Sequence, residues 1–349
     1  MIRWAILGAG AIAARFAADM RHSRTGRITA IGSRSTDKAR RFAAAIHTEI
    51  PGGTIDAVLH RPDVDAVYVA TPNALHREHA LAALAAGKPV LVEKPLASSA
   101  SDARDIAQAA AAAGLLAMEA MWMRFTPGIV RLVEIVRSGA IGDIRRIEAS
   151  LSFDHSFDPG SALYAPEGGG ALTDLGVYPV SLALQLAGRP TDIRALAVQS
   201  PSGAPAAASL VLSYRNALAT LSCGFDAEGL NQAVITGTRG IVTAHRPVLC
   251  PPMLSLRRTG SAGTVVSEVA DALPPKPERF AALPALKTLA RAAKVRRIPT
   301  VYVGSGLHYQ ADHFAHCLAK GLADSPVMPL AESIAVLEMI ERALAQTAA

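Results

Sequence analysis

The segment AILGAGAIAARFA, residues 5–17, passes from an apolar strand into a turn with Gly8, Gly10 and Ala13 spaced G-x-G-x-x-A, and then into an alanine-rich stretch. Few chain geometries accept that order. Gly8 permits a tight turn, Gly10 lets a ligand approach the backbone, and the small Ala13 lets a helix lie close against the strand. Ala11 and Ile12 open that helix, whose amino end offers unpaired N–H groups and the positive end of the helix dipole to an anion. The segment is expected to begin a dinucleotide site, with Gly8, Gly10, Ala11 and Ile12 against the pyrophosphate. A glycine turn that binds nothing is the alternative, and the strand, turn and helix context argues against it.

From residue 1 to about 120, short apolar runs alternate with amphipathic stretches, as crossover helices between parallel strands require. The periodicity predicts strands from Arg3 to Leu7, Arg27 to Ser33, Ala66 to Ala70, Val90 to Glu93 and Leu115 to Glu119. Helices are predicted from Ala11 to Met20, Lys38 to Ile46, Ala74 to Ala86 and Ser101 to Ala112, with Thr36 and Ser99 as polar starts for the second and fourth. Right-handed crossovers then give a Rossmann-type, doubly wound parallel sheet, an α/β fold whose ligand crevice lies outside the strands' carboxyl ends. After Trp122 the texture changes. A helix from Pro127 to Ser138 precedes runs such as IRRIEASLSF, IRALAVQS, ASLVLSY and ALATLSCGF, which read as antiparallel strands, and helical spacing returns from Leu307 to Lys320 and Leu330 to Ala345. The expected division is a dinucleotide-binding domain over 1–121 and an α+β domain over 122–349. The second domain should carry an open, mainly antiparallel sheet that serves substrate binding and oligomerisation, with its last helices packing back on the first.

A chain of 349 residues, half of them hydrophobic, suits two such domains. It has no uninterrupted apolar run of about 18 residues that would span a bilayer, and MIRWAILGAG does not resemble a signal peptide. A soluble, cytoplasmic protein is expected. Cys223, Cys250 and Cys317 are scattered, without metal or disulfide spacing. The net charge of +6 is the property of one stretch: Lys276 to Arg297 holds seven basic residues against Glu278 alone. That segment is read as a surface insertion rather than a nucleic-acid or membrane patch, because it forms no groove or aromatic array.

The second strand ends AIGSRST, about twenty residues beyond the glycine turn, where an NAD site would offer an acid to the ribose 2′-hydroxyl. Ser33 and Arg34 stand there instead. Serine hydrogen-bonds a 2′-phosphate and arginine pairs with it, with Lys38 as a second positive charge, so NADP is expected rather than NAD. At the next strand exit, VATPNALHREHA puts Thr71, Pro72 and Asn73 beside the nicotinamide side of the crevice and His76 and His79 in the following helix, with His76 counted among the cofactor contacts. The two histidines lack a third ligand nearby, and no metal is expected.

The blocks GAGAIA, ATPNALH and EKPLA, in that order, resemble the glucose-fructose oxidoreductase/inositol dehydrogenase/MocA family. MEAMWMRFTP, GGGALTDLGVYPVSLA and GLADSPVMPLAES are similar to its branch containing dimeric dihydrodiol dehydrogenases and NADP-dependent xylose dehydrogenases. The resemblance implies that Lys94 is the catalytic lysine, beside Glu93 at the cofactor, and that Asp174 and Tyr178 complete the site. Tyr178 stands where many members have histidine. Four residues apart on one helix, Asp174 and Tyr178 would share a face, and an adjacent ammonium would make the phenol more acidic. Tyr178 would then take a proton from a substrate hydroxyl as hydride passes to NADP, and return it in reverse. Trp122, Arg124, Phe125 and Phe153 would line the cleft for a sugar, polyol or cyclic diol. Ala162 precedes Leu163 where bacterial relatives often have arginine, so the resemblance does not carry their substrate preference over to this chain. The resemblance also implies a homodimer or homotetramer. A glycosidase using tightly held NAD and a non-catalytic NADPH-binding regulator are the competing readings.

Overall fold

The computed structural model describes residues 1–166, 168–259 and 295–347. The lysine- and arginine-rich stretch therefore lies outside the described residues, apart from Val295 to Arg297 in the last strand. Among the described residues, six strands form the first sheet: β1 Ile2–Leu7, β2 Gly26–Ser33, β3 Gly52–Thr54, β4 Ala66–Val69, β5 Val90–Glu93 and β6 Ala117–Ala120. All pair in parallel, in the order β3-β2-β1-β4-β5-β6. This is the doubly wound order whose direction reverses between β1 and β4, and the crevice opens there, at the strands' carboxyl ends.

The central strands are buried on both faces, which is why they read as continuous apolar runs. On one face Trp4, Phe16 and Tyr68 pack with Leu91 and Met118, and the Phe16 and Tyr68 rings stack at 3.8 Å. On the other, Val67, Val69, Val90 and Val92 meet the crossover helices together with Leu330 and Leu337. Those two leucines belong to the helix Leu330–Thr347, whose Glu341 accepts the Ala100 N–H at 2.7 Å. Asp19 makes a second tie. It ends the first helix, Ala11–Asp19, and accepts the backbone N–H groups of Ser305 at 2.7 Å and His308 at 3.0 Å, at the start of the helix Leu307–Ala319.

Among the described residues the second sheet has eight strands: β7 Ile144–Ser152, β8 Asp192–Gln199, β9 Pro205–Ser213, β10 Leu218–Gly224, β11 Ala233–Gly237, β12 Gly240–Ala244, β13 Met253–Arg258 and β14 Val295–Pro299. It is antiparallel except between β7 and β10, which run parallel. Its inner face packs on the helices Pro127–Arg137 and Val177–Ala187.

Two local features differ from expectation. The short β3 was not foreseen; Gly52 lies so close to the helix Thr36–Ala45 that a Cβ there would come within 2.9 Å of Ala39. That helix is capped by Ser35, whose hydroxyl accepts the Lys38 N–H, and not by Thr36. The second sheet is mainly antiparallel, as expected, with β7 and β10 running parallel within it.

Candidate active site

The glycine turn sits where the crevice opens. Gly8 has φ +122°, and a Cβ there would lie 2.3 Å from the Ala70 carbonyl oxygen, so only glycine lets the turn nest against the exit of β4. Gly10 faces open space and caps the first helix without a side-chain hydrogen bond, which leaves its amino end to a ligand. A cleft of about 400 Å³ begins here, lined by Gly8, Gly10, Ser33, Arg34, Lys38, Thr71 and Pro72. Ile55, Leu75 and His79 also line it and were not anticipated as contacts. Arg34 and Lys38 put positive charge at the β2 end of the cleft, the end at which a 2′-phosphate would lie. A dinucleotide fits this donor set.

Of the other expected cofactor contacts, Ala11 and Ile12 occupy the first helical turn, and Asn73 begins a 3₁₀ turn, Asn73–Leu75. His76 is fully buried, with Nδ1 2.8 Å from the Pro95 carbonyl oxygen and Nε2 2.9 Å from that of Thr71. It ties two strand exits together and has no face left for a ligand. Glu93 is also turned inward, where Tyr68 donates to its Oε1. Neither residue lines the cleft, which corrects both assignments.

Lys94 emerges beside the exit of β4 and reaches across to the second unit. Its Nζ donates to Asp174 Oδ1 at 2.6 Å and to the Asp174 carbonyl at 2.9 Å, and lies 5.0 Å from the centre of the Tyr178 ring. Asp174 and Tyr178 do not share one helix. Asp174 ends the short helix Ala171–Asp174, and Tyr178 lies in the first turn of Val177–Ala187. Gly176 lets the chain turn between them, since a Cβ there would meet the Leu172 carbonyl oxygen at 2.4 Å. Trp122 donates its indole N–H to the Tyr178 hydroxyl at 3.1 Å.

Lys94 pulls on the Tyr178 phenol as the sequence implied, but burial outweighs it. Burial raises the Tyr178 phenol above its ordinary value; Lys94 and the Trp122 N–H pull it down, but Glu93 and Asp174 oppose them and burial prevails. Lys94 thus acts in the expected direction without making Tyr178 acidic, and the phenol keeps its proton at neutral pH. Burial by itself would lower the Lys94 ammonium, yet Tyr178, Asp174 and Glu93 outweigh it and hold the ammonium above its ordinary value. With Tyr178 neutral, Asp174 is the nearest partner sustaining that charge.

Two of the expected substrate residues are committed elsewhere. Arg124 is 1% exposed, and its guanidinium donates to Ser181 Oγ and Ser181 O at 2.8 Å each, to Val327 O at 3.0 Å and to Glu332. Phe125 is in the core, its ring 4.9 Å from that of His313. Trp122 and Phe153 are only partly buried.

Residues 2–121 match the model of an oxidoreductase family with an NAD-binding Rossmann fold, and residues 129–243 match the GFO/IDH/MocA C-terminal domain. The chain belongs to the Gfo/Idh/MocA oxidoreductase family. Within it, the chain is 31% identical to a trans-1,2-dihydrobenzene-1,2-diol dehydrogenase of Mus musculus, over 98% of this chain and 96% of that one. Among solved structures, a 3-ketoreductase from Actinomadura kijaniata, in complex with NADP and TDP-benzene, superposes with a TM-score of 0.77 at 25% identity, covering 99% of this chain and 98% of the other. An aldose-aldose oxidoreductase from Caulobacter crescentus has the same fold, with a TM-score of 0.80 at 24% identity over 99% and 97% of the two chains. Among the described residues, no helix is long and apolar enough to cross a membrane.

Proposed function

We propose that this oxidoreductase interconverts a secondary alcohol and a carbonyl on a cyclic diol, sugar or polyol, using NADP in preference to NAD. The observation that carries this reading is the convergence of Lys94, Asp174 and Tyr178 at the strand exits beside the glycine cleft. Residues 1–121 hold the cofactor, with Arg34 and Lys38 at the 2′-phosphate, and residues from Trp122 onward hold the substrate. Held by these residues, NADP would supply the hydride chemistry.

The protein's own groups manage the proton and the charge. Tyr178, which keeps its proton at neutral pH, donates it to a substrate carbonyl oxygen and is left as phenolate; in the alcohol-oxidising direction the phenol first loses its proton to solvent, and the phenolate oxygen then takes the proton of the substrate hydroxyl. The Lys94 ammonium stabilises negative charge that develops on the reacting oxygen, and Asp174 fixes the ammonium in place. The Trp122 N–H holds the phenol oxygen and favours its ionised form. Trp122 and Phe153 offer partly exposed aromatic surface to the apolar side of a ring substrate. The dehydrogenase and ketoreductase names of the relatives support this substrate class. The intact Lys94, Asp174 and Tyr178 set speaks against a non-catalytic regulator. Assembly into a homo-oligomer is part of the reading, supported by Leu196 and Val198 standing 79% and 64% exposed on β8 of the open sheet.

The test is a screen of trans-dihydrodiols, aldoses and inositols with NADP and NAD, following reduction of the nicotinamide. Turnover with a higher kcat/KM for NADP is expected. Turnover only with NAD would refute the cofactor assignment, and no turnover across the panel would refute the reaction.

A further inference from the structure

Behind Lys94 lies a second buried acid pair. Tyr68 stands in β4 at 0% exposure, and Glu93 ends β5 at 4%. Parallel pairing sets Tyr68 opposite Leu91, so Glu93, two residues further on, projects from the same face of the sheet. The Tyr68 hydroxyl donates to Glu93 Oε1, and the Lys94 backbone N–H donates to Glu93 Oε2 at 3.2 Å. Phe16, stacked on the Tyr68 ring, holds the phenol in that pose. A carboxyl withdrawn from water is costly for the fold, and a hydrophobic side chain of similar volume would serve packing better.

We propose that Glu93, held in place by Tyr68, is a positioning residue whose charge switches the Lys94–Tyr178 centre. Protonated, it leaves the Lys94 ammonium free to stabilise negative charge on the reacting oxygen. Ionised, it offsets that ammonium and opposes the same charge. The inference rests on the roles given above to Lys94 and Tyr178.

The groups that face Glu93 are Tyr68 from β4, Lys94 at the strand's own exit and Glu119 from β6. Tyr178 and, through Lys94, Asp174 face it from the second unit, and His76 holds the carbonyl of Pro95 just beyond. Burial lifts the Glu93 carboxyl to about 7; Tyr68 and Lys94 draw it down and Glu119 pushes it up. Ionised Glu93 in turn raises the Tyr178 phenol, against the pull of Lys94. Carbonyl reduction, which builds negative charge on the substrate oxygen, should therefore slow as pH rises through neutrality, well below any loss due to ionisation of the phenol itself.

The test compares pH profiles of kcat/KM for carbonyl reduction with NADPH in the wild type, Tyr68→Phe and Glu93→Gln, alongside infrared spectra of the NADPH-bound proteins across the same range. The wild type should show a falling limb near neutrality, matched by loss of a protonated-carboxyl band. Glu93→Gln should lose both the limb and the band. Tyr68→Phe removes the donor that favours the ionised form, so both should move upward by about one pH unit. A limb unchanged in Glu93→Gln, a midpoint unmoved in Tyr68→Phe, or no carboxyl titrating near neutrality would each overturn the proposal. Absence of turnover by the wild type counts against the proposed reaction instead, and the infrared titration still decides the state of Glu93.

Discussion

Lys94 Nζ lies 2.6 Å from Asp174 Oδ1 and 5.0 Å from the centre of the Tyr178 ring. A lysine at a strand exit of the first sheet thus meets two residues carried by helices of the second. If Lys94 stabilises charge on the reacting oxygen, Lys94→Ala should lower kcat by roughly 10²–10³-fold while NADPH affinity changes little. Steady-state rates beside a fluorescence titration with NADPH check this. Equal losses in kcat and in affinity would instead make Lys94 a cofactor anchor.

Arg34 and Lys38 carry positive charge at the β2 end of the cleft. Arg34→Ala should weaken NADPH binding by about 1–3 kcal/mol, the worth of a charge-assisted hydrogen bond, and leave NADH binding unchanged. Calorimetric titration with both nucleotides separates this outcome from a general loss of the site.

Arg124 behaves as a core cross-link, with Ser181, Val327 and Glu332 as its acceptors. Arg124→Met should destabilise the protein by about 2–4 kcal/mol, because buried acceptors lose their donors. The substrate KM of the folded enzyme should not move. Denaturant unfolding reads the first quantity and steady-state kinetics the second; a raised KM at unchanged stability would return Arg124 to the substrate site.

His313 is partly buried, with Nε2 2.9 Å from Ser325 Oγ, and burial pushes its pKa down to about 4, with His316 adding to the shift. The folded state therefore favours neutral imidazole. The unfolded chain binds the proton more readily between about pH 6.5 and 4, so this part of the stability is complete above 6.5 and is lost as pH falls through that window. Partial exposure limits it to about 1–2 kcal/mol. Unfolding free energies at pH 7.5 and 5 should differ by less in His313→Asn than in the wild type.

The first sheet was readable because its strands are buried on both faces and separated by helices with regular apolar spacing. Gly8 and Gly10 fixed the crevice, since their spacing has a steric reason that does not depend on distant residues. β3 was not readable: three residues with two glycines carry no periodicity. Arg124 misled because its acceptors at Ser181 and Glu332 lie 57 and 208 positions away, and a local motif says nothing about them. Tyr68 hid in the run VYVA as one more strand residue, and its bond to Glu93 spans 25 positions. The sign of the Tyr178 shift was missed for the same reason, because burial is a property of the assembled core and the Lys94 charge alone was visible.

Replacement of Tyr178 by phenylalanine tests the proposed chemistry most directly, since it removes one hydroxyl from a ring that otherwise packs unchanged. Reduction of a carbonyl substrate with NADPH should fall by about 10²–10⁴-fold in kcat, the range for loss of a general acid, with NADPH affinity and folding stability close to wild type. A kcat within a few fold of the wild type would contradict Tyr178 as the proton donor.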